Sequence, residues 1–164
     1  MSTSKLSRRP RFRYVDVTPT CHAGAMIADN VLFQGEEIAN ATNKNGGDSM
    51  LVAIILQDLD DVGDAIDLYF TQNSATLASA GLNNPVNISD SDLSAAIPLG
   101  HIATPAVAAG AIGDMVASRF SITKDVNIPV RSADDSRSIY VHARTQGTGT
   151  YTASGLKITF VFED

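Results

Sequence analysis

Tryptophan is absent from this 164-residue chain, cysteine occurs once, and aromatic residues make up only 6% of it. A lone Cys21 cannot close an intramolecular disulfide or, by itself, hold zinc, so stability must come from packing or oligomerisation. So few aromatics argue against a deep aromatic-lined ligand pocket. Long apolar runs are missing too. The longest, Met50–Leu56, falls far short of the roughly 20 residues a membrane-spanning helix needs, so a soluble chain with no membrane partner is expected. No apolar h-region follows the basic start, so no secretory signal is expected. The glycine patterns G-x-x-x-x-G-K-[ST], G-x-G-x-x-G before a helix and G-x-S-x-G are all lacking, which removes the common signatures of phosphate binding and of a serine nucleophile.

What is present suits one packed domain. Hydrophobic residues are 44% and charged residues 18% of the chain, with many small and β-branched side chains, a composition for tight sheets around one core. Charge is unevenly placed. Residues 1–13 carry Lys5, Arg8, Arg9, Arg11 and Arg13 and no acid, whereas from Tyr14 onward seven basic residues face eighteen acidic ones. A basic arm (1–13) on an acidic body (14–164) reads as an extension toward a partner or a neighbouring subunit, the alternative being a solvated tail. The acidic body would repel a phosphate backbone, so no specific nucleic-acid partner is expected.

Period-2 alternation marks most of the elements. Phe12–Val17 alternates and stops at Thr18-Pro19-Thr20. A short strand is expected near Val31–Phe33, and Glu36–Ala41 fits a short strand or one helical turn. Asn45-Gly46-Gly47-Asp48 is a turn into Met50–Gln57, whose unbroken aliphatic run predicts a strand buried on both sides. With the alternating Ala65–Thr71, and Asp58–Asp64 as the connection, it reads as a hairpin. Ser89-Asp90-Ser91-Asp92 caps a short helix through Ile97, closed by Pro98 and Gly100. Further strands are expected at Leu99–Ala103, Asp114–Thr123, an edge piece at Asn127–Val130, Ser138–Arg144 and Leu156–Phe162. The fold class is therefore all-β: a β-sandwich, jelly-roll-like, with one short helical insertion and an extended N-terminal arm.

Residues suited to chemistry are few and scattered. His142 shares strand parity with Tyr140 and Arg144 and reads as a sheet histidine. His101 has no motif around it. Cys21-His22 are chain neighbours, which point to opposite faces of a strand and so make a poor nucleophile–base pair. Asp58-Leu59-Asp60-Asp61-Val62-Gly63-Asp64 opens like a calcium loop, but Val62 at the fifth position and Tyr69 at the twelfth are not ligands, so it reads as a solvated acidic turn. Asp134-Asp135 has less support still. No catalytic residue, cofactor or metal site is expected, and the chain does not read as an enzyme.

The order of segments resembles a family of small head-associated proteins of tailed bacteriophages. The resemblance rests on Val15-Asp16-Val17-Thr18-Pro19-Thr20, on Asn45-Gly46-Gly47 leading into Met50–Gln57, and on Ile66-Asp67-Leu68-Tyr69-Phe70. Ser138-Ile139-Tyr140-Val141, then Arg144-Thr145 through Gly149-Thr150-Tyr151 and Leu156, completes it. It covers most of the chain from about Tyr14 onward, and its specificity lies in the order and spacing of pieces that are individually common. It implies a capsid decoration (cement) protein, a homotrimer on the outer surface of the virion that braces the major capsid protein. The basic arm is longer than that family leads one to expect. The alternative reading is a carbohydrate- or receptor-binding sandwich on a tail or surface fibre, for which Tyr151 is the one aromatic expected in a loop. A cupin-like metal site would need His101 and His142 brought together with carboxylates.

Overall fold

The computed structural model describes residues 11–164. Ten strands and one helix follow in order: β1 (Phe12–Val17), β2 (Gly24–Ala25), β3 (Val31–Ile38), β4 (Asp48–Asp58), β5 (Ile66–Thr71), α1 (Asp90–Ala96), β6 (Pro98–Thr104), β7 (Arg119–Arg131), β8 (Ile139–Thr145), β9 (Thr150–Tyr151) and β10 (Leu156–Glu163). Two four-stranded antiparallel sheets, β1-β10-β4-β7 and β3-β8-β5-β6, pack face to face, and β2-β9 is a two-stranded ribbon. Without the ribbon, the eight long strands lie first-eighth-third-sixth and second-seventh-fourth-fifth. That interleaving of two Greek keys is the jelly roll.

Strand alternation fills the interior. Val17, Leu51, Ile54, Leu56, Ile158, Phe160 and Phe162 point inward from one sheet, and Ile66, Leu68, Phe70, Ile139, Val141 and Ala143 from the other. Phe70 meets Phe160 edge-to-face across the core, with ring centroids 5.9 Å apart. α1 starts where its cap was expected: the Ser89 hydroxyl accepts from the Asp92 N–H, and Asp90 and Asp92 sit in the first turn, where the helix dipole favours negative charge.

Three expectations from the sequence are corrected. β4 and β5 are not a hairpin. β4 pairs with β10 and β7, β5 pairs with β8 and β6, and Leu59–Ala65 carries the chain from one sheet to the other. Nor is β4 buried on both sides. Leu51, Ile54 and Leu56 are buried, while Met50, Val52, Ala53 and Ile55 keep part of their surface exposed on or near the outer face. Finally, Asp114–Thr123 and Asn127–Val130 are not two strands. Their strand portions belong to one 13-residue β7 starting at Arg119, interrupted by a bulge in which Asp125 and Asn127 adopt positive φ.

The outer faces of the two sheets differ. Residues 72–89 fold back over the sheet β3-β8-β5-β6, where Leu77 and Ala78 bury with Val31, and Tyr69, Leu82 and Ile88 pack around them. On the outer face of β1-β10-β4-β7, Phe12, Tyr14, Met50 and Ile122 remain exposed.

Candidate functional site

The sequence-level candidates fall into three groups, and none forms a reacting constellation. Lys5, Arg8 and Arg9 lie outside the described residues. Arg11 is exposed at the start of β1. Arg13 was grouped with the arm but belongs to the fold. Its guanidinium donates to the Asn40 and Ala41 carbonyls at 2.9 and 3.0 Å, to Ser49 Oγ at 3.0 Å and to Asp164 at 2.7 Å. It ties β1 to the turn after β3 and to the chain beyond β10, so it is not available to a partner.

His142 is wholly buried on the outer side of its sheet, beneath the covering segment. Its Nδ1 accepts from the Gly35 N–H at 2.9 Å, and Nε2 lies 2.9 Å from the Thr71 hydroxyl, which donates its own proton to the Asn73 carbonyl. The ring therefore carries its proton on Nε2 and is neutral, and burial depresses its pKa to about 4. Both nitrogens are engaged in holding β3, β8 and the start of the covering segment together. His101 is exposed and stacks on Tyr69, with centroids 6.1 Å apart. Cys21 is buried, and desolvation pushes its thiol up to about 12, so it is no nucleophile; His22 beside it is only half-buried.

The acidic turn after β4, read from the sequence as solvated, keeps part of its surface exposed everywhere but at Asp58. Asp58 is buried and accepts from the Asp60 and Gly63 N–H groups, with burial raising its pKa. Asp60 accepts from Thr152, Asp64 from the Gly149 N–H and Asp61 from Arg119. These carboxylates lace the β4–β5 turn to the β8–β10 connection and to β7. A Cβ on Gly155 would lie 1.7 Å from Asp60, and one on Gly147 2.1 Å from Asp64, which is why glycines recur there. Among the described residues no group of three metal-ligating side chains converges. Tyr151, expected in a loop, is buried in β9 against the core, and burial raises its phenol pKa.

What the fold does bring together is exposed apolar surface, in two places. Cross-strand register sets out the first. On the outer face of β1-β10-β4-β7, Phe12 lies opposite Glu163, then Met50, then Pro129; Tyr14 lies opposite Val161, Ala53 and Lys124; Asp16 lies opposite Thr159, Ile55 and Ile122. Phe12 is 53%, Tyr14 66% and Ile122 46% exposed, while Val161 in their midst is 6% exposed, so the patch is a continuous, shallow sheet surface. The second is the β6–β7 loop, whose tip carries Ile112 and Val116 fully exposed. That loop is held at its base, where Gly110 N–H bonds Asp114 and Arg119 reaches Asp61 and the Val107 carbonyl. Contiguous exposed apolar area of this kind marks protein–protein contact. The periodicity of β1 signals one wet face; strand pairing is what sets its Phe12 and Tyr14 beside Met50 of β4 and Ile122 of β7.

No protein-family model matches the chain, and no curated protein does. Among solved structures, a chain from the X-ray structure of tomato aspermy virus is similar over 98% of this chain and 80% of that one, with a TM-score of 0.44 and 10% identity.

Proposed function

We propose that this chain is a structural protein of a virion: a jelly-roll capsid decoration protein that sits on the outer shell as a homo-oligomer and braces the major capsid protein. The observation that carries the proposal is the face of the sheet β1-β10-β4-β7, uncovered among the described residues, where Phe12, Tyr14, Met50 and Ile122 stand exposed among Asp16, Lys124 and Glu163. A cement protein needs rigidity and a broad adhesive surface, and a flat sheet face offering Phe12, Tyr14, Met50 and Ile122 supplies that. The resemblance of its segments to phage head-associated proteins supports the same reading. The basic residues Lys5, Arg8, Arg9 and Arg11 add electrostatic attraction toward an acidic shell and raise the rate of encounter.

Jelly rolls also serve as lectins and cupins. Tyr151 is sealed in the core, and His142 is locked by Gly35 and Thr71, so the residues those readings relied on are otherwise engaged.

Cryo-electron microscopy of the virus particle encoding this chain tests the proposal. The expected result is density at repeated sites on the outer capsid, with the β1-β10-β4-β7 face against the shell. Finding the chain only on the tail, or absent from the particle, overturns it. Deletion of residues 2–10, which spares β1, is expected to lower capsid occupancy; unchanged occupancy removes the arm from the mechanism.

A further inference from the structure

Each sheet has two edge strands, and three of the four edges are blunted. β3 is interrupted by two register shifts and carries Gly35 at positive φ; its Val31 N–H and C=O are bonded by Asn84 and Asn83 of the covering segment, and its Leu32 C=O by the His22 N–H. β6 opens with Pro98 and lies against β7, where Gly100 sits beneath Ile128. β7 contains the bulge at residues 125–127 and Pro129. Bulges, prolines and covering segments are the usual devices that stop an edge from recruiting another strand.

Among the described residues, β1 has none of them. Phe12–Val17 contains neither proline nor glycine, and its register against β10 is unbroken from Phe12↔Glu163 to Val17↔Ile158. The direction of its open bonds follows from one contact. The Asp164 N–H donates to the Arg11 carbonyl, so Arg11, Arg13, Val15 and Val17 direct their main-chain groups toward β10. Phe12, Tyr14 and Asp16 direct theirs away from the sheet, and among the described residues no group bonds them.

We infer that this edge pairs with the β1 edge of a second copy of the chain, antiparallel about a two-fold axis through Tyr14, making one continuous eight-stranded sheet. Centred there, every outward N–H and C=O of Phe12, Tyr14 and Asp16 finds a mate in the other copy. Other registers that keep the core faces aligned leave some of them unpaired. Asp16 is already held within its own chain by Lys157 at 3.1 Å and by the Thr159 hydroxyl at 2.6 Å, so the pairing rests on main-chain bonds and not on charge. An isologous contact of this kind closes on itself and yields a pair. The pair joins the two uncovered faces into one plate; its formation does not rest on the capsid reading, and it stands in place of the homotrimer that the family resemblance implies.

Sedimentation equilibrium of the full chain tests the inference. The expected mass at micromolar concentration is about twice the 17.3 kDa of one chain. Tyr14→Pro removes an N–H that points outward and leaves the β1–β10 bonds in place, and association is expected to weaken by roughly tenfold or more. Ile122→Asp alters the same face at the far edge and is expected to leave the mass at two chains. Should Tyr14→Pro disturb folding, Phe12→Pro replaces it: it removes another outward N–H at the first residue of the strand, where proline is tolerated, and weakens association. A monomer, a trimer, or a pair that survives both proline variants overturns the inference.

Discussion

The outer faces of the two sheets have received opposite treatment from the same chain. Over β3-β8-β5-β6, residues 72–89 supply Leu77, Ala78, Leu82 and Ile88 as a lid, and the face beneath holds Val31, a buried neutral His142 and the Asp67–Arg144 ion pair at 2.6 Å. Over β1-β10-β4-β7 no such segment lies among the described residues, yet Phe12, Tyr14, Met50 and Ile122 are as apolar as what is covered elsewhere. A sheet face costs the monomer little when left bare if its residues are half-shielded by one another, as Val161 is. The contrast teaches that apolar character alone does not say which face a domain keeps for itself. The covered face contributes to folding, and the bare one is the surface the proposed function assigns to association.

Substitutions separate the two roles. Removing the lid's anchor has the largest expected effect: Leu77→Ala should lower unfolding stability by about 3–4 kcal/mol in urea titration, because Leu77 is buried and the site collapses only partly. Protonation of the same face comes next. The pKa of His142 in the fold is about 4 against 6.5 when unfolded, so the unfolded chain takes up the proton first. Its contribution is fully present above about pH 6.5 and is lost as the pH falls toward 4, amounting to roughly 3 kcal/mol. Comparing wild type with His142→Gln across that range isolates the effect, since buried Asp58, with its raised pKa, works in the opposite direction. Ser89→Ala, which removes the cap of α1 just beyond the lid, should cost about 1 kcal/mol in the same titration. On the bare face, Ile122→Ala should change monomer stability by no more than about 0.5 kcal/mol while reducing retention on purified capsids. If Ile122→Ala destabilises the monomer as strongly as Leu77→Ala, the division of labour between the faces is wrong.

Much of the fold was legible one strand at a time. The alternation of Phe12–Val17, Ile66–Phe70, Ile139–Arg144 and Leu156–Phe162 placed four strands, with the inward residues of Ile66–Phe70 and Leu156–Phe162, and Ser89 announced the helix. Pairing was not legible. In a jelly roll most long strands bond to partners distant in sequence, so the Asp58–Asp64 turn, which looked like a hairpin, is a crossing between sheets. The candidate surface was half-hidden for the same reason. The run Met50–Leu56 reads identically whether its second face is buried in a core or kept for a partner.

By itself, then, the sequence determined that this is an all-β chain with one short helix, a basic start, an acidic body and no dense cluster of catalytic residue types. Side-chain periodicity and cap chemistry are local, and local physics suffices for them. Only the tertiary structure decided that Arg13 is a staple, that His142 is a neutral strut, that the acidic turn is laced to the β8–β10 connection and to β7, and that β1 is, among the described residues, the edge without bulge, proline or covering segment. Those outcomes depend on which residues distant in the chain come within hydrogen-bond reach, and that is fixed by strand order.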